Sequence, residues 1–211
     1  MYSNMNFPAP LAALGFLGGA AGLLLAALVI LAAAAMGKTT VARVVTRVAG
    51  LCALGYFALL LGFSLASRDM VLAHGQEKYF CEMDCHLAYS VVDVRTATEG
   101  SLTRYTVTLR TRFDETTISS ARPKDAPLTP AERTIRLQDD QGHEYGVAAE
   151  QGTPLMTPLR PGDFYDSQLD FLLPKNSSGL RLLVQTRVAW PDHVVIGDES
   201  SWLHKKTYFR L

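Results

Sequence analysis

The order of apolar and polar positions divides the chain near residue 67. Leu11 to Met36 is a run of 26 residues without a charged side chain, rich in Ala, Leu and Gly. Val48 to Ser67 is a second such run of 20 residues, bounded by Arg47 and Arg68. At about 1.5 Å of rise per residue, each can cross a hydrocarbon core of roughly 30 Å as a helix. A helix satisfies its own backbone groups in lipid, so two transmembrane α-helices are expected, at about 11–36 and 48–67. A cleaved signal peptide competes for the first run, but MYSNMNFPAP offers no basic n-region and the run is too long.

After residue 67 the pattern breaks into short runs separated by Pro, Gly and Asp. Arg104 to Phe113 alternates most clearly: Tyr105, Val107, Leu109 and Phe113 share one face, and Arg104, Thr106, Thr108, Arg110 and Arg112 the other. That period of two predicts an antiparallel strand with one wet face. Further strands are predicted at Ala88–Thr96, Thr134–Gln138, His143–Val147, Ser167–Leu173, Leu180–Ala189, His193–Ile196 and Lys206–Arg210. Asp139-Asp140-Gln141-Gly142, Pro161-Gly162-Asp163 and Asn176-Ser177-Ser178-Gly179 supply turns between them. About eight short strands without an amphipathic helix between them read as a β-sandwich. Trp190 and Trp202 are expected in its core or along an edge.

Charge sets the orientation. Residues 37–47 hold Lys38, Arg43 and Arg47 and no acid, and short basic loops stay in the cytoplasm. The N-terminus and the C-terminal domain then lie on the periplasmic or outer side of a bacterial inner membrane. Overall the chain has 20 basic and 20 acidic residues. Three of the basic ones precede residue 68, which leaves the exported part with 17 against all 20 acids, a net of −3. That balance excludes a nucleic-acid binder of the usual basic kind. An apolar content of 48% excludes a disordered chain.

Two features of the helices invite a function. Gly37-Lys38-Thr39 resembles the end of a phosphate-binding loop, but Ala32 stands where that motif needs Gly, so Lys38 reads as an interfacial anchor. Gly15, Gly18, Gly19 and Gly22 give overlapping G-x-x-x-G spacings, expected to bring the first helix close against the second. Cys52 reads as a small apolar residue.

The concentrated chemistry is Phe80-Cys81-Glu82-Met83-Asp84-Cys85-His86. In an oxidising compartment Cys81 and Cys85 can form a disulfide across three residues if the chain turns sharply. Alternatively, the two thiolates with His86, Met83 or the remote His204 suit copper, for which soft sulfur and imidazole are natural ligands. A c-type haem attachment uses C-x-x-C-H, one residue shorter than the C-x-x-x-C-H here. A thiol pair exchanging electrons with partners generally uses C-x-x-C at a helix start.

Two resemblances bear on these readings. Leu137-Gln-Asp-Asp-Gln-Gly-His-Glu-Tyr145, Leu159-Arg-Pro-Gly162 and Leu169-Asp-Phe-Leu-Leu-Pro174 are similar to the telokin-like, immunoglobulin-fold exported domains of bacterial lipoproteins and membrane-anchored proteins, a family of unknown function. The likeness covers about residues 87–190 and implies an exported immunoglobulin-like fold without catalytic residues. Two helices before an exported β domain with C-x-x-x-C also resemble cytochrome oxidase subunit II, which carries a dinuclear copper centre. That family has His four residues after its second Cys, where this chain has Tyr89, and carries the motif late in its domain.

The expected protein has a membrane anchor at 1–67, a stalk at 68–86 and an all-β, immunoglobulin-like antiparallel sandwich at 87–211. It is expected not to be an enzyme and to need no cofactor. Its expected partners are the bilayer and envelope or membrane proteins, for which it acts as a binding or scaffolding module. The alternative is a copper-binding or electron-transfer accessory protein using Cys81, Cys85 and His86.

Overall fold

The computed structural model describes residues 2–81, 85–118, 122–187 and 190–211. It consists of a helical hairpin and a two-sheet β domain. After a short strand β1 (Tyr2–Ser3) come α1 (Ala9–Ala35) and α2 (Thr39–Ala66). Nine strands follow within the domain's first stretch: β2 (Met70–Leu72), β3 (Lys78–Phe80), β4 (Leu87–Glu99), β5 (Leu102–Phe113), β6 (Arg133–Gln138), β7 (Glu144–Gly146), β8 (Ala149–Gly152), β9 (Phe164–Pro174) and β10 (Arg181–Thr186). A 3-10 turn at Trp190–Val194 then precedes β11 (Thr207–Arg210).

Both helices are long and apolar enough to cross a membrane. In their most apolar stretches only 6% and 11% of residues are buried inside the protein, unlike the core helix of a soluble domain. Leu14, Leu24, Leu28, Leu31, Leu51 and Leu54 all point outward.

The break between the helices is much tighter than a loop over 37–47. Gly37 takes a φ of +71°, its N–H bonds Ala34 O at 3.0 Å, and the Lys38 N–H reaches back to Ala33 O at 2.8 Å. This is a Schellman stop, and glycine is the residue that adopts it without strain. Nothing after Lys38 breaks a helix, so Arg43 and Arg47 lie in the first turns of α2, their long stems able to carry the charge back to water.

Two sheets enclose one core. The first has the order β1-β3-β4-β5-β9-β8, the second β2-β11-β10-β6-β7. Tyr89, Val91, Val107, Leu109, Phe113, Leu169 and Phe171 of the first sheet meet Leu72, Ile135, Leu137, Leu182, Val184 and Phe209 of the second. The predicted alternation along β5 holds: Val107, Leu109 and Phe113 are buried, with Tyr105 partly so. On its opposite face the polar residues pair across strands. Arg110 grips Asp166 through two bonds of 2.8 and 2.9 Å, and Thr106 and Arg104 both bond Asp170, at 2.6 and 2.7 Å.

Several expectations need correction. The stretch expected as a stalk supplies β2 and β3, and β1 and β8 were not foreseen. These strands have two to four residues, too few to show a period. The sheets are also mixed rather than wholly antiparallel, because β1 pairs in parallel with β3 and β2 with β11. Residues 193–196, expected as a strand, lie in and just after the 3-10 turn, where Pro191 fixes a helical φ. Residues 188–189 of the expected strand 180–189 fall outside the described residues. Gly15, Gly18, Gly19 and Gly22 do not pack α1 on α2, since a Cβ built on any of them would meet nothing within 4 Å.

Candidate functional site

The chain's chemistry gathers at the junction of hairpin and domain. Here β1 lies beside β3, so the N-terminus is stitched into the same sheet that the C-terminal domain builds after α2. Both ends of the hairpin therefore leave on one side. Asn4 completes the seam: its side-chain oxygen accepts the Cys81 N–H at 2.8 Å, and its backbone N–H bonds Tyr79 O at 3.1 Å.

Cys81 and Cys85 are joined, with their Cα atoms 4.2 Å apart. Cys81 is buried, and its sulfur contacts the Ser3 hydroxyl at 3.1 Å. The bridge thus fixes the exit of β3 against the N-terminal strand. The copper alternative asks for two thiolates, and here each sulfur is bound to the other. The rest of that set is scattered. His86 is buried with its ring stacked on Phe113, centroids 5.4 Å apart, and its Nδ1 is 2.6 Å from Thr117 Oγ1. His204 lies in the turn before β11, with Nδ1 2.7 Å from Lys205 O. Met83 lies outside the described residues. Among the described residues, no three His, Cys, Asp or Glu side chains converge as a metal site would require.

Beside the disulfide runs a second, unforeseen constellation. Lys78 is fully buried, and its ammonium meets Glu199 Oε1 at 2.7 Å, Oε2 at 2.9 Å, Val184 O at 2.7 Å and Thr207 O at 3.1 Å. Four acceptor atoms around three protons leave this group no spare donor, so its role is to tie β3 to β10, β11 and the 190–203 segment. Burial lowers the Lys78 pKa, opposed by the Glu199 carboxylate. Lys206 bonds the Glu199 carbonyl. The neighbouring Asp198 is pushed up to about 6 by burial, although the Ser200 N–H donates to it at 2.6 Å. Asp198 also lines a cleft of about 300 Å3 with Cys81, Asn4, Thr186 and Phe16.

A third network lies on the outer face near His86. Arg112 holds Glu77 through two bonds of 2.6 and 2.7 Å and reaches the Tyr79 hydroxyl at 3.0 Å. Tyr79 donates to Asp114 at 2.5 Å. Burial alone would raise the Asp114 pKa, but donors from Tyr79, Thr116 and Arg112 outweigh it and bring it down to about 2. Asp114 also caps the 3-10 turn at Glu115–Thr117.

The 190–203 segment turns away from the sandwich and against the helices. Tyr56 of α2 donates to Val194 O at 2.7 Å, and Leu60 is buried with Val194 and Ile196 beside Phe7, Phe16 and Phe63. Trp190 and Trp202, expected in the sandwich core or along its edge, are 74% and 50% exposed and line a groove with the helices instead. The groove is apolar, has a volume of about 700 Å3 and runs down both helices. The one signal for this in sequence was two tryptophans flanking a stretch broken by Pro191 and Gly197. Lys78 sits in a run that reads as polar linker, so its burial left no trace there.

No protein-family model matches this chain, and no curated protein matches it. A crystal structure of a conserved hypothetical protein from Bacillus anthracis is similar at 10% identity and a TM-score of 0.34, over 47% of this chain and 81% of that one.

Proposed function

We propose that this protein is held in a bacterial inner membrane by its helical hairpin and presents an immunoglobulin-like, telokin-like domain on the periplasmic or outer face. It works there as a binding or scaffolding module for envelope or membrane proteins rather than as a catalyst. The observation that carries this reading is the pairing of Tyr2–Ser3 with Lys78–Tyr79, which returns both ends of the hairpin to one side. On that side sits the Cys81–Cys85 bridge, a cross-link that persists in oxidising compartments. At the opposite end stand Lys38, Arg43 and Arg47 without an acid, as a cytoplasmic turn requires. The polar groups at the junction serve internal cross-links, which favours a rigid platform over an active site.

Paired reporter fusions test the topology. A periplasm-dependent reporter fused after Leu211 is expected to be active, and a cytoplasm-dependent one silent. The opposite pattern would overturn the reading. Photo-cross-linking from the outer face of β5 in intact cells tests the binding role, with discrete adducts to membrane or envelope proteins expected and none expected from the Met36–Lys38 turn. A free-thiol count and metal analysis of the purified protein keep the copper alternative open to test, since bound copper with two free thiols would replace this reading.

A further inference from the structure

The membrane boundary can be placed by counting. A hydrocarbon core of roughly 30 Å takes about 20 helical residues. Even if the Arg47 side chain reaches back a turn to water, counting 20 residues from Arg43 along α2 arrives at Phe63. Counting the same distance back from Ala35, the end of α1, arrives at Gly15, next to Phe16. The 190–203 segment does not stay above this line. It bonds Tyr56 and packs on Leu60, and Tyr56 lies seven residues, or about 10 Å, below Phe63. If the lipid ended short of Tyr56, α2 would offer it at most 17 residues from Thr39, about 26 Å, with Arg43 and Arg47 inside the hydrocarbon.

The side chains of the segment fit that depth. Trp190, Trp202 and Leu203 are 74%, 50% and 65% exposed, three large apolar side chains turned outward on one segment. Trp202 and Leu203 are the central pair of a turn closed by the His204 N–H on Ser201 O at 3.1 Å. Leu203 has a φ of +63°, and among the described residues it is the one non-glycine in the left-handed region. A turn facing water would ordinarily place glycine or asparagine there. Beneath the two tryptophans, the groove is lined by Gly18, Gly19 and Gly22 of α1 and by Val48, Cys52 and Tyr56 of α2. At its upper end Arg68 and Lys205 are exposed at the level of Ser67, whose hydroxyl accepts the Lys205 N–H at 2.8 Å. Cations above and aromatic and apolar groups below are the order in which a leaflet presents phosphates and acyl chains.

We propose that the outward side of the 190–203 segment is immersed in the lipid leaflet on the domain's side, with Trp190, Trp202 and Leu203 below the headgroups and acyl chains filling the groove between α1 and α2, while Asp198 and Glu199 face inward to Asn4 and Lys78. Lipid is the occupant because the groove opens at the level that the helix count assigns to hydrocarbon and continues the lipid-facing surfaces of both helices. The domain is thereby seated on the bilayer and held at a fixed tilt, not carried on a free stalk. This inference rests on the reading of the helices as membrane-spanning.

The chain's two tryptophans are both in this segment, so the intrinsic fluorescence of the full-length protein reports on it. The protein is reconstituted into vesicles of phosphatidylcholine and phosphatidylglycerol whose acyl chains carry bromines either near the headgroup or near the methyl end. The expected result is loss of emission in brominated vesicles, greater with bromines near the headgroup, and little loss on adding aqueous iodide. Quenching by iodide but not bromine would place the tryptophans in water and overturn the proposal. Quenching by neither would mean that a second copy or a partner helix covers the groove, which also overturns it. W190F and W202F, each leaving one emitter, are expected to give the same order, and these conservative changes keep the fold. Flotation of the vesicles separates the two claims: protein left behind overturns the spanning helices themselves, whereas floating protein with iodide-quenched tryptophans overturns the immersion alone.

Discussion

The hairpin and the sandwich use similar side chains in opposite directions. Leu24 of α1 is 65% exposed, whereas Leu169 of β9 is fully buried. The β domain turns its apolar faces inward because water is its solvent, and its stability scales with the area withdrawn. The hairpin turns them outward because lipid is its proposed solvent, where apolar exposure costs nothing and backbone satisfaction decides the fold. The contact between the two regions draws on both kinds of interaction: a two-residue strand, the Tyr56–Val194 hydrogen bond, and an apolar cluster of Leu60 with Val194, Ile196, Phe7, Phe16 and Phe63.

The sharpest way to break the comparison is to remove one partner of the buried pair. Glu199→Ala leaves the Lys78 ammonium buried without its carboxylate and is expected to cost about 3–5 kcal/mol in thermal or chemical unfolding. Replacing both, as Lys78→Met with Glu199→Leu, should recover most of that loss, since an apolar pair of similar volume carries no desolvation cost. Phe171→Ala in the core should cost a similar ~3–5 kcal/mol through the cavity it leaves.

A smaller effect comes from pH. Asp198 has its pKa raised from 3.8 to about 6 by burial. Below pH 3.8 its carboxyl is neutral whether the chain is folded or not, and nothing is lost. As pH rises through 6, the folded state must hold a charge that burial disfavours, so stability falls across that window, by up to ~3 kcal/mol. Stability is therefore expected to be greater at pH 5 than at pH 7, and Asp198→Asn should flatten the difference. Asp114 acts in the other direction and lower down: its depressed pKa stabilises the fold above 3.8, and that support is lost as pH falls toward about 2.

Opening the disulfide by replacing Cys81 and Cys85 with Ser is expected to cost about 2 kcal/mol, since so short a loop removes little freedom from the unfolded chain. At the small end, Leu24→Ala in detergent should move stability by no more than about 0.5 kcal/mol, the range of an exposed position. A Leu24 effect as large as that of Phe171 would show that the hairpin has a protein-facing core and would end the contrast drawn above.

The long elements were legible and the short ones were not. Arg104–Phe113 showed its alternation over ten residues and lies within β5, and both apolar runs became helices. Strands β1 and β2 owe their pairing to neighbours distant in sequence, as in Tyr2 with Lys78 and Met70 with Thr207. A two- or three-residue strand carries no period by which it could be read. The glycine stripe misled because small residues permit close approach without specifying which surface approaches. At the junction, the Cys81–Cys85 pairing was readable from spacing and compartment as one of several alternatives. The Lys78–Glu199 pair was not, because 121 residues separate its members and neither flank suggests burial.

By itself, then, the sequence determined that two apolar segments of bilayer length precede a β-rich domain, because hydrophobic run length and strand alternation are local properties written in consecutive residues. Tertiary structure alone decided that the N-terminus joins the domain's own sheet, that a lysine and a glutamate share its interior, and that both tryptophans face outward beside the helices. Each of those outcomes depends on which distant surfaces meet, and the free energy of such meetings belongs to the packed whole rather than to any window of the chain.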